Sequence, residues 1–152
     1  MKQPDQVLGV AWGEDAHAVA DRLGVACGEW EPWGDGTRFE TCLAAAPSTF
    51  FGRECHVLLV RYGMRLEGLQ FLFPGHAGSQ RALREAIRTA FGLEVGGDPD
   101  LYHGTGGGGL VRFTCDEGGA CTLTVAGPHL GNVYAARELA RGLGALGASL
   151  RP

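Results

Sequence analysis

Two stretches of this chain alternate apolar and polar residues on both sides of a tight turn, and they leave few choices of fold. The first runs from Arg53 to Tyr62, turns at Gly63-Met64-Arg65 and continues from Leu66 to Phe73. The second runs from Leu110 to Asp116, turns at Glu117-Gly118-Gly119 and continues from Ala120 to Ala126. Period-two alternation about a short glycine-bearing turn predicts an antiparallel hairpin. Leu69, Phe71 and Phe73 then share the core face of the first. Val111, Phe113 and Cys115 face inward beside Cys121, Leu123 and Val125 in the second, which sets Cys115 opposite Cys121. Between the hairpins, Leu83, Ile87, Ala90 and Phe91 recur at helical spacing after a Ser79 N-cap and stop at Gly92.

The flanking segments complete the layout. Ala16, Val19, Ala20 and Leu23 predict a helix between Gly13 and Gly24, with Glu14 and Asp15 at its start and Arg22 in its last turn. Cys27 to Gly36 reads as irregular, Thr37 to Leu43 as a strand, and Leu93 to Gly109 as a loop dense in Gly, Asp and Pro. A last helix is expected from Asn132 to Leu146. Val19-x-x-x-Leu23-Gly24-Val25 returns 68 residues later as Ile87-x-x-x-Phe91-Gly92-Leu93, which suggests a duplicated helix-plus-strands unit. The expectation is a single α+β domain over residues 1–152. Its antiparallel sheet has about five strands, in two hairpins plus one strand, with two or three helices packed on one face.

A chain of 152 residues buries roughly 68–70% of its unfolded surface, so no covalent staple is needed. The five cysteines, Cys27, Cys42, Cys55, Cys115 and Cys121, are odd in number and lack C-x-x-C spacing, and are therefore expected to be reduced and core-packed. A net charge of −4 gives no footprint for nucleic acid or an anionic membrane. The longest apolar run, Val57 to Val60, is too short to span a bilayer, so no transmembrane segment is expected. Met1-Lys2-Gln3-Pro4-Asp5-Gln6 has no apolar signal core. The chain is expected to be soluble and cytoplasmic, or periplasmic if a signal segment has been removed.

No motif compels a chemistry. Gly104 to Gly109 spells G-x-G-x-x-G, but a helix and loop precede it and a strand follows, so it reads as a flexible loop rather than a dinucleotide site. Gly127-Pro128-His129-Leu130-Gly131-Asn132 joins a strand to a helix, where Gly127, His129, Gly131 and Asn132 could hold an anion; the plainer reading is a turn capped by Asn132. His17, Cys55, His56, His76, His103 and His129 are scattered without metal-ligand spacing, and no metal or cofactor is expected. No nucleophile elbow marks a catalytic residue. Arg81, Arg84 and Arg88 read as a solvated stripe around Glu85. Trp12, Trp30, Trp33, Phe50 and Phe51 are the candidate binding anchors, with core packing as the competing reading.

The order Gly9-x-x-Trp12-Gly13, Leu23-Gly24, Phe51-Gly52, Leu66-x-x-Leu69 and an aromatic-Gly helix end resembles small bacterial α+β modules, namely the SmpA/OmlA-like outer-membrane lipoproteins and the β-lactamase inhibitory proteins. The resemblance spans Leu8 to Val125. It implies an exported fold that binds proteins without catalysis. The chain departs from it in having no cysteine near the N-terminus and a basic-faced second helix. The leading expectation is a non-catalytic protein- or peptide-binding module, and the alternative is a small-molecule or anion-binding protein using the 127–132 loop.

Overall fold

Alternation in the two hairpin segments is carried by β-branched, leucine and aromatic residues, and in the computed structural model these strands form the middle of one large antiparallel sheet. The structure describes residues 4–32, 38–75, 80–93, 101–105 and 109–132. Helices α1 (Pro4–Leu8), α2 (Ala16–Leu23) and α3 (Gln80–Phe91) accompany strands β1 (Glu31–Pro32), β2 (Phe39–Leu43), β3 (Ser48–Phe50), β4 (Arg53–Tyr62), β5 (Arg65–Phe73), β6 (Leu101–Thr105), β7 (Gly109–Cys115) and β8 (Cys121–Ala126). Seven strands follow the order β1-β2-β4-β5-β8-β7-β6, and β3 pairs with β4 beside this path. The expected sheet of about five strands is therefore too small: eight are present among the described residues. The three additional strands are short edge pieces or side pieces. β1 has two residues and β3 three, and β6 lies in a glycine-rich stretch without alternation. Leu101 to Thr105 and Gly109, expected within a loop, are instead paired strand residues, with Gly104 opposite Leu110 and Thr105 opposite Gly109.

α2 is followed by five strands, β1 to β5, and α3 by three, β6 to β8, and the last strands of the two stretches, β5 and β8, pair antiparallel at the centre. Both helices pack on one side of the sheet. Val19 and Ala20 of α2 and Leu83, Ile87 and Phe91 of α3 share a core with Leu69, Phe71, Val111, Phe113, Leu123 and Val125. Asp15, not Glu14, caps α2: its carboxylate accepts from the His17 and Ala18 amides, and Gly24 closes the helix in the left-handed region at φ 70°.

The other side of the sheet is covered differently from expectation. A helical turn at residues 128–132 lies there, and Leu130 joins Phe39, Val60, Leu110 and Ala126 in a second, smaller core. The helical elements are thus not confined to one face. Leu130 fits because Gly68 has no side chain: a Cβ built on Gly68 falls on Leu130 Cδ2. Asn132, expected as the cap, lies within this helical turn. The stretch expected to continue the helix to Leu146 lies outside the described residues, as do Ser79 and Trp33.

Four of the five cysteines are bonded, correcting the expectation of reduced thiols. Cys115 and Cys121 are paired across the second hairpin in the predicted register and are joined as a disulfide. Cys27 reaches Cys42 because Cys27 bridges Ala44 alongside β2. On the chain-entropy account, closing loops of separation 15 and 6 contributes about 3 and about 2 kcal/mol respectively. Cys55 alone is free; burial pushes its thiol up to about 11, so it is a poor nucleophile.

Two outcomes follow. Thiol titration of the unfolded, unreduced protein should find one reactive cysteine, rising to five after reduction, whereas five without reduction would remove both bridges. Ile87, fully buried on α3, should cost about 2–5 kcal/mol when changed to Ala, against less than about 0.5 for the exposed Arg81, as read by urea denaturation.

Candidate functional site

The four described aromatic candidates, Trp12, Trp30, Phe50 and Phe51, do not converge. Phe50 ends β3 opposite Arg53, and Phe51 and Gly52 form the two-residue turn into β4, both with positive φ, 54° and 74°. Phe51 tolerates that conformation in a setting where its ring lies 6.1 Å from those of Phe71 and Phe91, while Phe50 stacks edge-on against Phe71 at 4.9 Å. Both belong to the main core. Trp30 is half-buried under a cation–π stack, with the Arg61 guanidinium 4.1 Å from its ring, and Arg61 is itself paired with Glu40. Trp12 is also half-buried but opens onto a cleft. Arg84 is half-buried, with its Nε enclosed, and so does not belong to a fully solvated stripe.

That cleft encloses about 260 Å³ between Trp12, Gly13, Arg65, Glu67, Pro128 and His129. Its construction begins with a β-bulge. Val60 pairs with Gly68 and Arg61 with Leu66, which leaves Glu67 as the extra residue of β5. Leu66 stays in the main core and Gly68 faces the second one, while the Glu67 side chain, only 6% exposed, lines the cleft. His129 Nδ1 lies 3.3 Å from Glu67 Oε1, and the imidazole is 73% exposed. The Gly127 amide donates to the Glu67 carbonyl at 2.7 Å, fixing the 127–132 turn above the bulge. Trp12 packs flat on Gly127, where a Cβ would come within 2.8 Å of the indole. Of the 127–132 candidates, the Gly127 and Gly131 amides are therefore engaged within the protein, Gly131 with the Gly127 carbonyl, and His129 faces a carboxylate.

A salt-bridged clamp holds the Trp12 wall. Glu14 accepts from the Ala11 amide and pairs with Arg22 at 2.9 Å, and Arg22 also donates to the Gly9 carbonyl. These bonds, that from Arg22 foremost, hold the Glu14 carboxyl down to about 2. The Gly13 amide donates to the Leu66 carbonyl, which ties the loop to β5 directly beside Glu67.

A second concavity lies on the far side of the sheet. Phe39, Thr41 and Leu43 of β2 face the same way as Leu58, Val60 and Tyr62 of β4, by register. Leu43 is 54% exposed and Tyr62 40%. Thr41, Leu43 and Leu58 floor a groove of about 560 Å³ whose rim carries Glu29 and Glu31. Sequence reading named two residues of the cleft, Trp12 and His129, but assigned them to separate sites, and named none of the groove's. The local signal for the carboxylate of the cleft is the glutamate that interrupts apolar alternation in Leu66-Glu67-Gly68-Leu69, and nothing local marks the groove.

Among the described residues, no three His, Cys, Asp or Glu side chains are grouped to hold a metal ion, and no helix is long and apolar enough to cross a membrane. Comparison of the chain with family models, curated proteins and solved structures finds no match.

The clamp makes a pH prediction. Because Glu14 titrates lower folded than unfolded, its contribution is complete above about pH 4.5 and is lost as the pH falls through about 2. Trp12 fluorescence, isolated by Trp30→Phe and Trp33→Phe, should change over that interval and lose this transition in Glu14→Gln.

Proposed function

We propose that this chain is a non-catalytic module that binds a protein or peptide segment in the groove on the far side of its sheet. The observation that supports this reading is the apolar floor of the groove: Leu43, 54% exposed, stands open beside Leu58 on a face whose neighbours Phe39 and Val60 are packed into the second core. Apolar surface left exposed beside a polar rim marks interaction sites more often than chance surface does. The apolar floor suits a leucine-sized or aromatic anchor, and the Glu29 and Glu31 rim suits basic residues flanking it. The opposing reading, an anion in the 127–132 loop, has the Glu67 carboxylate beside the site, which repels an anion.

The paired cysteines support an oxidising compartment, and so the periplasmic alternative, for such a module. Disulfides persist there, whereas cytosolic thiols are kept reduced.

Selection from a random peptide library tests the binding reading. Enriched peptides should carry an apolar residue flanked by Lys or Arg, and Leu43→Asp should weaken them at least about tenfold by placing a charge in the apolar floor. No enrichment, or equal binding to Leu43→Asp, would remove the groove as the site.

A further inference from the structure

We infer that the cleft around Glu67 is a receptor for an organic cation, a primary ammonium or a guanidinium, held between the Glu67 carboxylate and the Trp12 indole. This inference is independent of the far-face groove, since the two share no residue.

A carboxylate removed from water is expensive unless it is paired and hydrogen-bonded, and Glu67 is 5% exposed. Its one described side-chain contact is His129, at 3.3 Å, longer than the 2.7–2.9 Å or so of a strong charge-assisted bond. A carboxylate accepts about four hydrogen bonds, and the described His129 contact uses one of them on a group that lines the cleft. His129, mostly solvent-exposed, is free to swing aside and leave the carboxylate to a ligand.

The rest of the cleft fits the same class. Trp12 supplies an aromatic wall to a carboxylate-lined cavity, the combination that holds ammonium and guanidinium groups through cation–π and charge-assisted contacts. A volume of about 260 Å³ accommodates one amino-acid side chain or a small amine and excludes a folded surface. Arg65, exposed at the lip, opposes any cation that approaches it, so the ammonium or guanidinium is placed at the Glu67–Trp12 end of the cleft and a polyamine, with a further charge to place near Arg65, is disfavoured. The bulge is what places the carboxylate here: without the extra residue, strict alternation in β5 has no position for an acidic side chain between the two cores.

The cation has two possible sources, a free amine or a lysine or arginine side chain of another polypeptide. The test is an NMR titration of the indole Nε1–H of Trp12 with n-butylammonium chloride, with the neutral and more apolar alcohol 1-pentanol, and with the peptide acetyl-Gly-Lys-Gly-amide. Saturable shifts with butylammonium and not with pentanol are expected, weakened at least about tenfold in Glu67→Gln and unchanged in Leu43→Asp. Peptide binding as tight as butylammonium assigns the polypeptide source, and tighter butylammonium binding assigns the free amine. Equal response to pentanol, no saturable shift with either cation, or equal affinity in Glu67→Gln overturns the proposal. The pentanol comparison is made on the unaltered protein, so it discriminates even where the variant does not fold.

Discussion

The antiparallel pairing of β5 with β8 is the contact on which the architecture depends. It runs from Gly68–Ala126 to Phe73–Cys121 and joins the strands that follow α2 to those that follow α3 in one sheet. Without it β5 and β8 would each be an open edge, the situation that invites aggregation. Joined, Phe71 and Leu123 lie side by side under α2 and α3, and both helices bury their apolar stripes in one shared core. Gln70 donates to Thr124 across the same pair on the opposite side, so the join is satisfied on both faces.

That join also sets the position of the cleft. β5 is flanked on both sides by strands and cannot slip, so the extra residue of its bulge has to be expelled sideways rather than absorbed. Glu67 is the residue expelled. The turn that follows β8 returns over this spot, its Gly127 amide bonding the Glu67 carbonyl, and brings His129 to the carboxylate. Across the bulge, the Glu14–Arg22 clamp fixes the loop that carries Trp12. Three chain segments far apart in sequence thus form one small chamber around a single interruption in a strand.

Much of this fold was readable locally. The hairpins around Gly63 and Gly118, the α3 stripe of Leu83, Ile87 and Phe91, and the facing of Cys115 with Cys121 follow from periodicity, and the structure has them. The pieces that were not readable are those whose stability is supplied by neighbours. β1 and β3 are too short to show a period, and β6 is held by pairing with β7 in a stretch whose glycines read as a loop. The disulfides escaped because spacing carries no information about Cys27 and Cys42 until β2 is placed beside the 27–44 bridge, and because facing cysteines across a hairpin are equally compatible with two thiols.

Sequence by itself determined the antiparallel hairpins and the faces of α2 and α3, since each depends on residues within a few positions of one another. Tertiary structure alone decided which aromatics are core and which are surface. Phe50 and Phe51 turn inward on Phe71, whereas Trp12 opens onto Glu67, and no local pattern separates them. It also decided that a lone glutamate in an apolar strand lines a cleft and that Leu43 lies uncovered. Both outcomes depend on what a distant segment places over the sheet, and burial is a property of that whole arrangement rather than of any stretch of chain.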